Sequence, residues 1–161
     1  VANDSETTDL EGDFLSFVLS AEGQEIVSDN DYLAVDEDAP SYEASGMEGK
    51  LVVAGSSSVY PVMEKLAEAY EGLNPGAEVD VQQNDSSTGA AMVAAGTCDL
   101  GMMSRELDDS ELEEGIEATD IAWDGIVVIV NNASPVDDLS VGQVRGIFSG
   151  EITDWQEVAG A

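Results

Sequence analysis

The stretch that most constrains the fold runs from Leu51 to Pro61. Its apolar start, Leu51-Val52-Val53-Ala54, suits a buried strand. Gly55 and three serines, Ser56, Ser57 and Ser58, then turn the chain. Beyond them Val59, Val62, Met63, Leu66, Ala69, Tyr70 and Leu73 recur at helical spacing and define one apolar face. Pro61 fits a first helical turn, where its missing N–H leaves no hydrogen bond unmade. The serines between such a strand and such a helix have two readings. They cap the helix. Or they join the unpaired N–H groups and the positive end of the helix dipole in binding an anion.

The same order of strand, turn and helix recurs downstream. Asn74-Pro75-Gly76 ends the first helix. Val79 and Val81 alternate with polar residues, as in a strand. A polar turn over 83–89 follows, carrying Ser86, Ser87 and Thr88, and then a short helix over Ala90–Ala95 with Gly96 at its C-terminal cap. Asp99–Met103 is a third strand, followed by Ser104 and Arg105. Asp108 or Asp109 caps a helix through Glu114, closed by Gly115. Ile121–Trp123 and Ile126–Val130 read as strands, and the β-branched run Val127–Val130 predicts one covered on both faces. After a turn over 131–138, Ser140 and Gln143 form a capping box for a helix to Phe148, ended by Ser149-Gly150. Ile152–Val158 predicts a loop and a short helix around a buried Trp155.

This alternation predicts an α/β fold with a mainly parallel sheet flanked by helices. Ligands of such sheets bind beyond the carboxyl ends of the strands. Ser56–Ser58, Ser86–Thr88 and Ser104 each follow a strand, and that coincidence favours the anion reading over simple capping. Upstream, residues 1–12 are polar and read as frayed. Phe14, Leu15, Phe17, Val18 and Leu19 form an apolar helical patch, and Ser20 caps a second helical segment that buries Ile26 and Val27. Tyr32, Leu33 and Val35 make a short extended piece, and 36–50, with Pro40, Gly46 and Gly49, reads as a linker.

Charge narrows the function. The chain carries 35 acidic residues against 4 basic ones, a formal charge of -31. The cations are Lys50, Lys65, Arg105 and Arg145, too few for a nucleic-acid partner or an anionic membrane surface. With 43% hydrophobic residues it is not a disordered acidic tail. Such self-repulsion is tolerated in concentrated salt, and the composition resembles that of haloarchaeal proteins. There is no histidine, which excludes Ser-His and Cys-His nucleophile pairs and His-ligated metal sites. Cys98 is the single cysteine, so no internal disulfide forms. A serine hydrolase would lack its base. No catalytic residue, cofactor or metal is expected.

Five motifs, quoted as they stand, carry a resemblance: Gly55-Ser-Ser-Ser-Val-Tyr-Pro, Asp85-Ser-Ser-Thr-Gly, Asp99-Leu-Gly-Met-Met-Ser-Arg-Glu-Leu, Trp123-Asp-Gly-Ile-Val-Val-Ile-Val-Asn and Ile147-Phe-Ser-Gly-Glu-Ile-Thr-Asp-Trp. From Lys50 onward the chain resembles the phosphate-binding protein of the Pst-type ABC importer, and the fold implied is one lobe of a type II periplasmic-binding-protein fold. The resemblance implies that Ser56, Ser57 and Ser58 contact inorganic phosphate at the first turn, and Ser86, Ser87 and Thr88 at the second. Ser104 stands where some relatives carry an aspartate that accepts the protonated phosphate hydroxyl. Asp124 is the substitute acceptor, and Arg105 a charge-assisted donor. The other reading of Arg105 is a salt bridge to a nearby acid, and of Asp124 a turn cap. Another oxyanion (sulfate, molybdate or tungstate) and a phosphate-sensing module are the alternatives.

The resemblance also implies ABC importer membrane subunits as partners and an extracytoplasmic, cell-surface location, lipid-anchored in the full-length protein. The chain starts without Met, so it is expected to be processed or cut from a longer protein. Phe14–Leu33 resembles the family's C-terminal end, yet here it comes first. The expected organisation is therefore residues 1–36 as the end of a preceding copy, 37–50 as an acidic linker, 51–130 as the anion-binding lobe, and 131–161 as the hinge and start of an incomplete second lobe. Phe14–Val27 is expected to dock on the sheet of Leu51–Val130, in a monomer or, by exchange, in a domain-swapped dimer.

Overall fold

A computed structural model describes residues 1–3 and 8–158. At its centre strand β2 (Glu48–Ser56) pairs in parallel along its whole length with β3 (Gly76–Asn84), Leu51 opposite Val79 and Ser56 opposite Asn84. On its other side the end of β2 pairs in parallel with β4 (Leu100–Met102), Val53 opposite Leu100 and Gly55 opposite Met102. The strand order is therefore β3-β2-β4, and all three carboxyl ends share one edge. The expected parallel α/β sheet is present.

Alternation along β2 sends successive side chains to opposite faces. Leu51 and Val53 join a core with α1 (Asp9–Val18), α2 (Ala21–Asp29) and α3 (Tyr60–Leu73). Ala54, with Val52, packs with Ala90 and Val93 of α4 (Ser86–Ala94). Phe14, Phe17 and Val27 are buried in one cluster with Leu51, Val53, Leu66 and Tyr70, and Ile26 packs against it. The N-terminal helices thus dock on the sheet of their own chain. Ser20 caps α2 as expected, accepting from Gly23 N at 3.2 Å.

The stretch 36–50 is not a free linker. Ala21 N donates to Pro40 O at 2.9 Å, and Tyr42 N to Glu22 Oε2 at 2.8 Å. Asp13 Oδ2 accepts hydroxyls from Tyr42 (2.6 Å), Ser45 (2.7 Å) and Tyr70 (2.6 Å). Burial raises the Asp13 pKa, but these three hydroxyls outweigh it and hold the carboxyl below its usual range. Asn74, fully buried, accepts from Gly46 N at 2.9 Å and donates to the Tyr42 hydroxyl at 3.0 Å.

The N-terminus departs from the frayed expectation where it is described. Strand β1 (Ala2–Asn3) pairs antiparallel with β5 (Ile116–Glu117), which follows α5 (Asp109–Glu113). Gly101 N donates to Val1 O at 2.7 Å. A partner distant in sequence orders a terminus that has no local reason to be ordered. Residues 4–7 of that expectation lie outside the described residues. The extended piece near Leu33 forms an isolated bridge with Trp123, its two N–H···O bonds both 2.9 Å.

The chain divides after Gly125 into a first compact unit, Val1–Gly125, and a second, Ile126–Ala161. In the second, α6 (Val141–Ser149) carries the expected capping box of Ser140 and Gln143, and Gly150 closes it in the left-handed region. The expected strand Ile126–Val130 is absent. It carries no assigned secondary structure, with Ile126 94% and Ile129 87% exposed. β-Branched residues favour extended backbone, but a strand also needs a ladder partner, and no described segment supplies one. Trp155 opens a short 3-10 turn and is 44% exposed rather than buried. Its ring lines an apolar cleft of about 600 Å³ with Val128, Ile129, Pro135, Val144 and Phe148.

Candidate functional site

The site follows from the shared edge of the parallel strands. Ser56, Asn84 and Met102 end β2, β3 and β4, so the residues that leave the sheet there start side by side. These are Ser57 and Ser58, Asp85 and Ser86, and Met103 and Ser104. Gly55 and Gly89 permit the close approach. Gly55 has φ +138°, and a Cβ on Gly89 would lie 2.9 Å from Ala54 O and 3.0 Å from Gly55 Cα.

In the first turn Ser56 is buried, while Ser57 and Ser58 are exposed. Val59 N donates to Ser56 O at 3.2 Å and closes the turn. Val59 is also the N-cap of α3 and offers no side chain to the helical N–H groups. Those groups have no side-chain competitor for an anion. The Tyr32 hydroxyl donates to Ser58 O at 2.7 Å, which satisfies a carbonyl whose partial charge would repel an anion.

The second turn is already helix. Ser86–Thr88, expected in a turn ahead of the helix, instead form its first turn, because Asp85 caps α4. Asp85 takes both donors of Thr88, N–H at 2.8 Å and Oγ1 at 2.9 Å. These bonds hold the Asp85 carboxyl below its usual range, the backbone bond first. Thr88 therefore lacks the free donors expected of it. Ser86 Oγ accepts from Ser104 N at 3.1 Å and lies 3.3 Å from Ser104 Oγ. This pair joins the second and third turns.

Arg105 reaches the same group. Its Nη2 donates to Ser87 Oγ at 3.2 Å and to Glu111 Oε1 at 2.7 Å. Its Nη1 donates to Glu111 Oε2 at 2.8 Å and to Glu106 O at 2.8 Å. The salt bridge weighed from sequence is thus present, and the free charge-assisted donor is not. Arg105 holds the Glu111 carboxyl below its usual range. Lys50 and Lys65 pair with Glu78 and Glu68 on the surface. The donors at the strand ends are therefore hydroxyls and backbone N–H groups, with one neutralised guanidinium beside them. Asp124 is exposed and makes no hydrogen bond to a described residue. Among the described residues no group of three or more acidic or cysteine side chains could hold a metal ion.

Sequence reasoning missed Tyr32, Asp85 and Glu111. Asp85 and Glu111 were legible as an N-cap and as the N3 partner of Asp108. Tyr32 has no local signal, since its partner is 26 residues away.

The profile of the PBP superfamily domain matches residues 34–161. The chain belongs to this superfamily. Phosphate-binding protein PstS 2 of Streptococcus agalactiae is 48% identical over 147 residues, 91% of this chain and 50% of that protein. The solved phosphate-binding protein of a phosphate ABC transporter from Streptococcus pneumoniae TIGR4 superposes with a TM-score of 0.85 at 38% identity, covering 98% of this chain and 60% of that one. An ABC-type phosphate transport receptor from Vibrio cholerae gives a TM-score of 0.59 at 36% identity, covering 68% of this chain and 44% of that one. The chain spans about half the length of the curated relatives it matches. Such neighbours accord with one lobe of a superfamily fold. They give no support to the haloarchaeal source that the charge suggested.

Proposed function

We propose that the chain contributes the first phosphate-contacting lobe of an extracytoplasmic solute-binding protein that captures inorganic phosphate for an ABC importer. The observation that carries this reading is the single edge of β2, β3 and β4, where Ser57, Ser58, Ser86, Ser87 and Ser104 gather beside two helix N-termini. Relatives named as phosphate-binding proteins support it, and none of those described above is named as an enzyme. The importer's membrane subunits are the protein partners. A lipid anchor in the full-length protein belongs to the same proposal. Within that lobe residues 1–36 share one core with the sheet that starts at Glu48, which favours one compact lobe over the end of a preceding copy. The monomer is favoured over a swapped dimer because Phe14, Phe17 and Ile26 pack within their own chain.

The chemistry is donation without net cation charge. Hydroxyl and N–H dipoles meet the phosphate oxygens, and the α3 and α4 termini add positive potential. A second oxyanion is the alternative, favoured by one observation: the partner of Ser86 is a hydroxyl, Ser104, and not a carboxylate. A carboxylate there would reject a fully ionised anion, whereas a hydroxyl both gives and accepts.

Ser57→Ala combined with Ser86→Ala is expected to weaken phosphate binding at least about tenfold, since a hydrogen bond to a charged group contributes roughly 1.5–3 kcal/mol. Titration of the chain with phosphate, sulfate, molybdate and tungstate, followed by amide NMR shifts, measures this. Unchanged phosphate affinity in the double variant would remove the site assignment. Salt supplies a second test. With a formal charge of -31, the fold is expected to need about molar potassium chloride, where the screening length is roughly 3 Å. A circular-dichroism series that shows a stable fold near roughly 10 mM salt, where the Debye length is about 30 Å, would end the halophilic reading.

A further inference from the structure

Both Nη groups of Arg105 are fully used. A guanidinium carries two N–H bonds on each Nη. Here Nη1 uses both, on Glu106 O and Glu111 Oε2, and Nη2 uses both, on Glu111 Oε1 and Ser87 Oγ. No Nη proton is left for a ligand. Ser87 is in the opposite position. A hydroxyl that accepts from an arginine keeps its own proton to give, and Ser87 stands in the first turn of α4, next to Ser86.

Glu111 is fixed as firmly as Arg105. Its Oε2 also accepts Asp108 N at 2.9 Å, in the capping box that opens α5. Its side chain is only 12% exposed. The order of dependence therefore runs from the capping box to Glu111, from Glu111 to Arg105, and from Arg105 to Ser87.

We infer that Arg105 and Glu111 are positioning residues of the phosphate site: Arg105 holds Ser87 Oγ as an acceptor so that its hydroxyl proton is presented to the anion, and Glu111 fixes Arg105 while cancelling its charge. This rests on the phosphate reading above. It makes Ser87 the ligand contact and takes the Nη groups of Arg105 out of that role. It also means that the site selects by hydrogen-bond direction rather than by net attraction.

The test is amide NMR titration of the full chain with inorganic phosphate, for the wild type, Ser86→Ala, Ser87→Ala, Arg105→Gln, Arg105→Lys, Glu111→Gln and the pair Ser87→Ala/Arg105→Gln. Ser87→Ala and Arg105→Gln are each expected to raise the dissociation constant about fivefold to tenfold, with the pair no weaker than either alone. That non-additivity is the mark of one residue acting through another. Arg105→Lys is not expected to rescue, because an ammonium cannot bridge Glu111 and Ser87 as a planar fork does. Glu111→Gln keeps a residue suited to the capping box, so the α5 signals should stay in place while phosphate binds more weakly. Additive loss in the pair, full rescue by lysine, or tighter binding by Glu111→Gln would each overturn the inference. If Ser86→Ala weakens binding but Ser87→Ala and Arg105→Gln do not, the inference falls and the phosphate reading stands. If phosphate shifts no signal in the three turns of the wild type, both fall.

Discussion

Phe14→Ala is expected to lower the unfolding free energy by about 3–5 kcal/mol, the range for removing a buried aromatic ring. Phe14 is fully buried, and its ring meets Tyr70 edge-on at 5.1 Å and 78°. Around it stand Phe17 of α1, Val53 of β2, and Leu66 and Tyr70 of α3. An alanine would leave a cavity between the helix pair and the sheet. Urea unfolding at fixed salt, followed by far-UV circular dichroism, measures the loss. A change below about 1 kcal/mol would mean that α1 is not docked on this sheet in solution.

Gly55→Ala is expected to damage both fold and site. Gly55 has φ +138°, a region that side chains rarely adopt, and strain of that kind costs about 1–3 kcal/mol. A Cβ there would also collide with the Met102 carbonyl oxygen and lie 2.9 Å from Met102 N. Overpacking adds about 1–3 kcal/mol more. Both atoms belong to backbone, so relief means separating β2 from β4 at the edge that carries the turns. Phosphate binding should fall with stability, because Ser57 and Ser104 leave from those two strands. Gly12→Ala is the control. Gly12 lies within α1 with nothing inside 4 Å of an added Cβ, and alanine there should stabilise by about 0.5–1 kcal/mol. If Gly55→Ala melts and binds like the wild type, the tight β2–β4 approach is not a requirement of the site.

What was legible in the sequence is what local chemistry decides. The run Leu51–Ala54, the glycine and the amphipathic spacing from Val59 to Leu73 define β2 and α3 without reference to the rest of the chain. Ser20, Asp108 and Ser140 cap helices because the residues they bond lie within one turn. Partners distant in sequence were not legible. The pairing of Ala2 with Glu117 orders an N-terminus that looked frayed. The same β-branched residues that make Val53 a core strand residue leave Ile129 exposed, because one has a ladder partner and the other has none among the described residues. At the candidate site, the hydroxyl turns were legible in the sequence and the hydrogen bonds among them were not. Thr88 spends its donors on Asp85, and Arg105 spends its Nη protons on Glu111, Glu106 and Ser87. Residue type advertises a donor, but only geometry shows whether it is free.

The strap from Pro40 to Gly46 has a mechanical consequence. Domain exchange needs slack: a hinge segment must let go of its own body before it can hand a neighbouring element to another molecule. Here the hinge is stitched to α2 through Pro40 and Tyr42, to α1 through Asp13, and to the end of α3 through Asn74. Most of these stitches end on Tyr42, Ser45 or Gly46, within a few residues of β2. A traveller leaving with α1 and α2 would have to unpick them together, so the acidic stretch that reads as a loose tether works as a clasp.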